Sequence, residues 1–292
     1  MTYPEKDQTV TLGDGRKLGF ATYGPHSKTV VFHFHGSAGS RFERPADDTI
    51  LQDLGIRLIS IDRPGHGLSD FQPDRKLLDW PNDIKQLATH LGVSKFYVMG
   101  LSAGGPYALA CAFKLSEQVE ACAVVSGPAP PDRPSPYQGF SVSHRIITFI
   151  FRNIPWLTFK MRRGMHRLAS GDVETLRAKI IAGFPPADRK VLELAQNLNV
   201  MLEEIREGYC QGWDGPATDD TIIFAPWAFP LNDISTRVDI WHGGLDRNIP
   251  FGQAKYNHKS IPNSRLTVWT ELGHLGLHSK WREVLAALTA QN

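Results

Sequence analysis

The sequence predicts an α/β fold with a mostly parallel sheet and a helical insertion. Short apolar runs typical of buried strands alternate with helical patterns as far as residues 121–125, and the alternation begins again at Arg237. Strands that alternate with helices form βα units, which join parallel strands. From about Phe140 to Trp213 the pattern is helical without strand runs. We therefore expect one α/β core into which a helical segment is inserted.

The first predicted element is an antiparallel hairpin. Residues 9–12 and 17–23 are short alternating runs that flank the turn-forming Gly13-Asp14-Gly15. A buried apolar run follows at residues 29–34, and helical periodicity predicts a helix over about 77–91. These elements begin the alternation that indicates a parallel sheet.

Prolines mark the start of the insertion. The segment Gly127-Pro-Ala-Pro-Pro131, with Pro134 after it, can continue neither a strand nor a helix. We therefore predict a core of residues 1–128 and 214–292 and a helical cap of residues 129–213.

Composition and charge exclude several classes of protein. The 292 residues carry a net charge of +2 without a dense Lys/Arg run, so nucleic acid is not an expected partner. No stretch approaches 18 uninterrupted apolar residues, which excludes a spanning helix, and the N-terminal residues lack a signal-peptide pattern. The chain has three cysteines, an odd number, at widely spaced positions: Cys111, Cys122 and Cys210. We expect reduced core thiols and a cytoplasmic protein.

A serine flanked by glycines lies at the predicted junction of a strand and a helix. Residues 100–105 (GLSAGG) follow an apolar run and precede an Ala-rich helical stretch. Gly100 and Gly104 permit the sharp turn of a nucleophile elbow, which lifts the hydroxyl of Ser102 above the sheet. The following helix directs its free N–H groups and positive dipole end to the same place. We predict that Ser102 is a nucleophile.

A serine hydroxyl needs a base to remove its proton, and the base needs an orienting acid. Asp246 lies in the loop after the predicted strand 237–242, at the sheet edge where α/β sites form. His274 follows a second predicted strand, 265–269, and precedes a closing helix expected over about 279–290. We predict Asp246 as the acid and His274 as the base.

The loop after residues 29–34 is a candidate oxyanion hole. Its small residues, 35–40 (HGSAGS), allow the backbone to approach a substrate oxygen. We expect the N–H groups of Ser37 and Ala103 to bind a developing oxyanion. His35 and Gly36 are counted among the substrate-binding residues, although His35 is expected to brace the loop and not to take part in the chemistry.

In these segments the chain resembles the α/β-hydrolase superfamily, and most closely its capped single-domain serine hydrolases. Five segments occur in the family's order and spacing: His35-Gly36, residues 62–69 (DRPGHGLS), the Ser102 elbow, the Asp246 loop and Gly273-His274. The order Ser, Asp, His is also the family's triad order. The resemblance implies an eight-stranded, mostly parallel sheet with a helical cap inserted after the sixth strand.

Three positions distinguish this chain from other branches of the superfamily. Ala38 stands where the epoxide-hydrolase-like branch usually has a proline. Ser102 stands where epoxide hydrolases and haloalkane dehalogenases need an aspartate, which disfavours those two reactions. Some relatives place the triad acid at the end of the sixth strand, but that position here is Ser126-Gly127, without a carboxylate.

The cap is rich in large apolar side chains, most of which are expected to pack the cap itself. As a group they predict a hydrophobic roof over Ser102: Tyr137, Phe140, Phe149, Phe151, Trp156, Phe159, Met161, Met165, Phe184 and Met201. From the group we select Phe140 and Trp156 as substrate-binding, together with Trp227 after the cap. The cap also carries a basic run, which is interpreted as a solvated helix face: Lys160, Arg162, Arg163 and Arg167.

Several histidines outside the triad have structural interpretations. His274 and His278 are four residues apart, but the Glu that a metalloprotease pattern requires is missing, so no metal site is predicted. His33 is interpreted as a hydrogen-bonded core residue, His66 as a residue that shapes or braces its loop, and His242 as a support for the Asp246 loop.

The sequence therefore predicts a serine hydrolase that needs no cofactor and cleaves an ester, thioester or lactone of an apolar small molecule. Two alternatives remain open. The same side chains could cleave a carbon–carbon bond or catalyse a non-hydrolytic reaction, or the protein could be a small-molecule receptor with slow turnover. The oligomeric state is left open.

Overall fold

The computed structural model describes residues 5–134 and 138–290, which fold around an eight-stranded sheet of order β1-β2-β4-β3-β5-β6-β7-β8. The strands are β1 Glu5–Thr11, β2 Lys17–Tyr23, β3 Thr29–Phe34, β4 Ile56–Ile61, β5 Phe96–Leu101, β6 Val119–Val125, β7 Arg237–Gly243 and β8 Ser264–Trp269. Strand β2 pairs antiparallel with β1 and β4, and every other pairing is parallel. The predicted α/β fold with a mostly parallel eight-stranded sheet is confirmed.

Helices cover both faces of the sheet. They are α1 Thr49–Leu54, α2 Trp80–His90, α3 Gly104–Lys114, α4 Val142–Asn153, α5 Pro155–Ala169, α6 Val173–Gly183, α7 Pro186–Leu192, α8 Ala195–Gly208, α9 Asp214–Ile223, α10 Gly252–Ser260 and α11 Leu277–Thr289. The helices α2, α3 and α10 share one hydrophobic cluster with the sheet, whereas α1 and α11 share the other. A strand buried on both faces needs apolar side chains at successive positions, which explains the continuous apolar runs in the sequence.

Strand β3 shows how the two faces are built. Val30, Phe32 and Phe34 belong to the cluster beneath α2 and α3, whereas Val31 belongs to the opposite cluster. The alternation follows from the two-residue period of a strand. His33 lies on the second face, where its ring meets Trp281 of α11 edge-on at 5.1 Å between centroids.

Most element boundaries lie within a few residues of the predicted ones. The first strand is expected over 9–12, but β1 begins four residues earlier, at Glu5. The helix expected over 77–91 is a short 3-10 turn, Leu77–Asp79, followed by α2. Pro81 lies in the first turn of α2. A proline is tolerated there because the N–H groups of the first turn have no partner within the helix.

The helical insertion lies between β6 and β7. In the part of the chain that the structure describes, it consists of α4 to α9. Its helices α5 to α8 share a third hydrophobic cluster with Ala38 and Leu275, whereas Ile222 and Ile223 of α9 belong to the main core cluster. Helix α9, Asp214–Ile223, lies in residues that the sequence analysis assigned to the core, beyond the predicted end of the cap at residue 213, and it packs mainly against α5. None of the helices over the described residues combines the length and apolar character needed to cross a bilayer.

The three cysteines are free thiols, but the expectation that all of them lie in the core is wrong. Cys111 and Cys122 are buried, whereas Cys210 is exposed after the end of α8. The Sγ of Cys210 lies 3.3 Å from the carbonyl oxygen of Gly67. The thiol itself is partly buried against Gly67, and this burial raises the pKa of the Cys210 thiol to about 11, so it is protonated at neutral pH.

The junction of β5 with α3 is packed so closely that glycine is required. A Cβ added at Gly104 would overlap the carbonyl oxygen of Phe34 at the end of β3, and one at Gly100 would overlap the backbone of Gly104. Both obstacles are backbone atoms, which cannot rotate away. The two glycines therefore allow the start of α3 to lie directly against the end of β3.

We expect Gly104→Ala to destabilise the fold, because β3 and α3 must separate to admit the methyl group. Overpacking of this kind costs about 1–3 kcal/mol or more, measurable as a lower midpoint in urea unfolding. Gly164→Ala is the matched control, since nothing lies within 4 Å of a Cβ added there, in the middle of α5. It should leave stability unchanged or raise it by up to about 1 kcal/mol. Equal midpoints for the two variants would contradict the packing argument.

Candidate active site

Ser102 lies at the tip of the turn between β5 and α3. Its φ is 50°, in the left-handed region that non-glycine residues rarely adopt. The turn is held by two backbone hydrogen bonds: Ser102 N–H donates to the Val125 carbonyl at 2.8 Å, and Gly105 N–H donates to the Ser102 carbonyl at 3.0 Å. The strained conformation directs the hydroxyl away from the sheet, as expected for a nucleophile elbow.

His274 and Asp246 continue a chain of hydrogen bonds from Ser102. The Oγ of Ser102 lies 2.9 Å from Nε2 of His274, and Nδ1 of His274 lies 2.8 Å from Oδ2 of Asp246. An ionised carboxylate only accepts, so Nδ1 carries the hydrogen and Nε2 is left to accept the serine proton. The structure therefore brings together the three residues that the sequence analysis selected, from three loops at the carboxyl edge of the sheet.

Backbone groups hold the Asp246 carboxylate in place. Its Oδ1 accepts hydrogen bonds from the N–H groups of Asn248 at 2.8 Å and Ile249 at 2.9 Å. The Nε2 of buried His242 lies 2.9 Å from the carbonyl oxygen of Ile249, which ties the same loop to the end of β7. The predicted support of this loop by His242 is confirmed.

The charge of Asp246 prepares His274 to accept a proton. Burial alone would lower the pKa of His274, but the charge and hydrogen bond of the Asp246 carboxylate outweigh it, and the pKa is raised. For Asp246, burial would raise the pKa, but His274 outweighs burial and lowers it. The pair thus favours an imidazolium beside an ionised carboxylate once His274 has taken a proton.

The two candidate oxyanion donors border the same cavity as Ser102. Ser37 and Ala103 both line it, next to Gly36 and to Ala38. In the described part of the chain, no backbone hydrogen bond uses the N–H of Ser37 or of Ala103. Ala38 has a φ of 63°, so the loop turns sharply immediately after Ser37. Both N–H groups are therefore available to a substrate oxygen.

A buried cluster of ion pairs, formed by Arg63, Arg75 and Asp219, binds the backbone of the loop that contains Ser37. Arg63 donates from Nη1 to the His35 carbonyl at 2.5 Å and from Nη2 to the Gly36 carbonyl at 3.0 Å. Its Nε donates to Asp219 of α9 at 2.6 Å, and Arg75 binds the same carboxylate. Burial alone would raise the pKa of Asp219, but the two guanidinium groups outweigh it and hold that pKa well below its usual range. The helical insertion therefore helps to position the loop of residues 35–40. We call this loop the oxyanion loop, because it holds one of the two candidate oxyanion donors.

His35 has a structural position and does not line the cavity. Its ring is buried, with Nδ1 2.8 Å from the Gly36 carbonyl and Nε2 accepting from the Arg63 N–H at 3.3 Å. The bracing role expected of His35 is confirmed, but its selection as a substrate-binding residue is wrong. Gly36, by contrast, does border the cavity.

Arg162 overturns the interpretation of the basic run as a solvated face. Three members are exposed: Lys160, Arg163 and Arg167. Arg162 instead points inward, pairs with both oxygens of Asp220 at 2.5 and 2.7 Å, and donates to the Ser37 hydroxyl at 2.8 Å. The run follows helical periodicity, so only one of its side chains reaches the cavity. There Asp220 neutralises its charge.

A cavity of about 400 Å³ opens at Ser102 and His274, with walls that are mainly apolar. Five of the predicted roof residues line it: Phe140, Phe151, Met165, Phe184 and Met201. Phe149, Trp156 and Met161 are instead exposed, and Tyr137 lies outside the described residues. Some cap side chains therefore form the predicted roof, while others on the same helices face solvent.

Two tryptophans predicted to bind substrate lie elsewhere. Trp156 is 68% exposed and does not border the cavity, because it lies in the first turn of α5 on the solvent side. Trp227 is buried in the main core, where its Nε1 donates to the Ile223 carbonyl at 3.0 Å and its ring stacks near Phe229. Neither position could be inferred from residue type alone.

The other buried histidines also have protein partners. His33 Nε2 lies 2.8 Å from Oε2 of Glu43, so the predicted hydrogen-bonded core residue is confirmed. His66 braces its loop through Nδ1, 3.2 Å from the Gly39 carbonyl, and Nε2, 3.2 Å from Asp219. Over the described residues, no group of three His, Cys, Asp or Glu side chains is arranged to hold a metal ion.

The sequence analysis missed the acidic residues that organise the site. Glu43 accepts from the Gly36 N–H at 2.9 Å, and Asp219 and Asp220 hold the arginines described above. Two adjacent carboxylates in a helix that is otherwise largely apolar are a usable signal, because buried charges require partners. Glu43 lies in an ordinary polar loop and gives no such signal.

Comparison with known proteins agrees with this architecture. A sequence model of the alpha/beta hydrolase family matches residues 30–288. A protein of Bacillus subtilis (strain 168), named as a candidate 2-succinyl-6-hydroxy-2,4-cyclohexadiene-1-carboxylate synthase, is 32% identical over 120 residues, 40% of this chain and 43% of that protein. The bifunctional esterase/perhydrolase DCH of Acinetobacter calcoaceticus is 31% identical over 97 residues, 33% of this chain and 35% of that protein. Both alignments thus span less than half of each relative.

The fold is also that of solved structures. A hydrolase from Pseudomonas aeruginosa PA01 superposes with a TM-score of 0.72 at 16% identity, covering 98% of this chain and 99% of that one. At this identity the likeness concerns the fold alone.

Because the pKa of His274 is raised, we expect the reactivity of Ser102 to depend on pH. His274 must be neutral to accept the serine proton, so we expect the rate at which a fluorophosphonate labels Ser102 to fall as the pH falls through that raised pKa. Asp246→Asn removes the carboxylate that raises it, which should move the acid limb to lower pH. It should also cut the maximal rate by about three to four orders of magnitude, because the wrong His274 tautomer is favoured.

The control for this prediction is Asp53→Asn, which removes an exposed carboxylate that pairs with Arg282. It should change neither the rate nor the pH profile. If Asp246→Asn kept half of the wild-type labelling rate, another carboxylate would have to orient His274.

Proposed function

Because the chain belongs to the alpha/beta hydrolase family, we propose that it is a serine hydrolase that cleaves an ester, thioester or lactone of an apolar small molecule. The observation that carries the proposal is the continuous hydrogen-bond chain from Ser102 through His274 to Asp246, open to a largely apolar cavity. Acyl transfer to water needs a nucleophile, a base and an oxyanion site, all of which this chain supplies.

The first half of the reaction forms an acyl-enzyme. Ser102 Oγ attacks the substrate carbonyl carbon while His274 Nε2 takes its proton. The negative charge that develops on the carbonyl oxygen is held by the N–H groups of Ser37 and Ala103. The tetrahedral intermediate then collapses, and His274 gives the proton to the departing alcohol or thiol.

The second half releases the acid. A water molecule gives a proton to His274 Nε2 and attacks the acyl carbon, and the same two N–H groups hold the second oxyanion. Collapse breaks the bond to Ser102 Oγ, which recovers the proton from His274. Asp246 remains ionised throughout and stabilises the imidazolium in both halves.

The cavity favours uncharged, mostly apolar acyl groups. Arg162 is the cation that approaches Ser37, but its charge is already matched by Asp220 at 2.5 Å. A substrate carboxylate would have to compete with that buried pair, which costs more than it gains. Apolar groups instead bind favourably, because removing their surface from water contributes about 25 cal/mol of binding free energy per Å² of buried area.

A non-hydrolytic reaction on the same side chains is the second candidate, since the Bacillus subtilis relative is named as a candidate synthase. Product analysis in H₂¹⁸O separates the two. Hydrolysis places one ¹⁸O in the released acid, whereas elimination or rearrangement incorporates none. A receptor with slow turnover would instead release about one product per chain and then stall.

We expect a fluorophosphonate to label the chain once, at Ser102, and Ser102→Ala to abolish both labelling and the hydrolysis of p-nitrophenyl esters. Ser126→Ala is a matched control, because Ser126 is also a buried serine with a φ near 50° at a strand end. It should retain labelling and turnover. Labelling that survives Ser102→Ala, found by peptide mass spectrometry at another site, would overturn the nucleophile assignment.

A series of p-nitrophenyl esters tests the cavity. Each methylene that fits should raise kcat/KM by up to about 0.8 kcal/mol of transition-state binding, so activity should rise from acetate to medium chains. It should fall once the acyl group exceeds the cavity of about 400 Å³. A flat or declining profile from acetate onward, or a preference for acidic acyl groups, would contradict the proposed apolar binding.

A further inference from the structure

One part of the cavity wall is polar, and its polar atoms lack partners. Glu204 of α8 and His278 of α11 both line the cavity that contains Ser102, and they are 5% and 8% exposed. Among the described residues, neither the Oε2 of Glu204 nor the Nε2 of His278 has a hydrogen-bond partner. A buried polar atom without a partner costs about 1–3 kcal/mol, so each requires an explanation.

The two side chains share one neighbour, Glu43. Its carboxylate interacts electrostatically with both Glu204 and His278, and it also accepts from the Gly36 N–H of the oxyanion loop at 2.9 Å. His278, in the first turn of α11, also interacts electrostatically with His274. The unpartnered atoms therefore lie on the side of the cavity bounded by the oxyanion loop and the His274 loop, near the reacting groups.

Burial shifts both side chains toward their uncharged forms. Burial, together with the nearby Glu43 carboxylate, raises the pKa of Glu204 well above its usual range. Burial lowers the pKa of His278. In its uncharged form the Glu204 carboxyl group can donate a hydrogen bond, and His278 in its uncharged form is a neutral imidazole.

We propose that Glu204 and His278 form a subsite that hydrogen-bonds a hydroxyl group of the substrate. A hydroxyl both donates and accepts, so it can pair with either side chain. A substrate carboxylate is disfavoured because it would meet Glu43. An ammonium group is disfavoured because the Glu43 carboxylate is already bonded to the Gly36 N–H and to His33. This inference rests on the proposed function and narrows its substrate class to apolar esters, thioesters or lactones that also carry a hydroxyl group.

Isosteric ester pairs test the subsite directly. On the acyl side, the p-nitrophenyl esters of 4-(hydroxymethyl)benzoate and 4-ethylbenzoate differ by one hydroxyl in place of a methyl group. On the alcohol side, the butyrate esters of 4-(hydroxymethyl)benzyl and 4-ethylbenzyl alcohol form the same comparison. We expect the hydroxyl member of at least one pair to have the higher kcat/KM, by about tenfold, the value of one hydrogen bond to a buried partner.

Variants assign that preference to the two side chains. Glu204→Leu and His278→Leu should abolish the preference, measured as the ratio of kcat/KM between the two members of each pair, whereas Glu204→Gln, which keeps a donor, should retain it. Glu203→Gln is the matched control, because its side chain is half exposed, pairs with Lys6 and Arg44, and does not line the cavity. It should leave the preference unchanged.

Several outcomes would overturn the subsite. One is an equal or lower kcat/KM for both hydroxyl esters, and another is a hydroxyl preference that persists in both leucine variants. A stronger preference for 4-(aminomethyl)benzoate, lost in Glu204→Gln, would identify a cation site instead. If no ester is hydrolysed, calorimetric binding of the same pairs to Ser102→Ala still decides: tighter binding of the hydroxyl member supports the subsite, and equal binding rejects it. The proposed function is tested by different results: it would be contradicted if no ester were hydrolysed and no fluorophosphonate labelled Ser102.

Discussion

The site depends on the contact between the first turn of α3 and the end of β3. There is no room for a Cβ on Gly104 because the Phe34 carbonyl occupies that position. There is also no room for a Cβ on Gly100, because the backbone of Gly104 lies there. This contact places the Ala103 N–H next to the loop that follows β3, so that the two candidate oxyanion donors border one cavity. It also sustains the left-handed φ of Ser102, which a less tightly packed junction would relax.

The helical insertion does more than cover the cavity. Two adjacent carboxylates on α9 bind two different arginines. Asp219 binds Arg63, which donates to two carbonyls of the oxyanion loop. Asp220 binds Arg162, which donates to the hydroxyl of Ser37. Buried charges of this kind are stable only while every partner is in place. A change in the position of α9 would therefore reach the oxyanion loop through hydrogen bonds, which couples the roof of the cavity to its reactive end.

The cavity combines two kinds of wall. Its apolar side chains bind by area and discriminate poorly between similar groups, whereas a buried polar atom without a partner strongly rejects a substrate that leaves it unpaired. Leaving the buried Oε2 of Glu204 and Nε2 of His278 unpaired costs about 1–3 kcal/mol each. In the proposed complex with a hydroxylated substrate that cost is recovered, which would explain why two polar side chains persist among apolar neighbours.

The sequence by itself determined the α/β fold, the elbow, and the order Ser102, Asp246, His274, because each depends on local patterns: strand and helix periodicity, glycines at a sharp turn, and loops after strands. Tertiary structure alone decided which side chains face the cavity. Phe140 and Trp156 are both large aromatic residues of the insertion, yet one lines the cavity and the other is exposed. Arg162 points inward while its neighbours on α5 point outward. The direction in which a helix presents its side chains depends on how it packs against distant elements, and that information is spread over the whole chain.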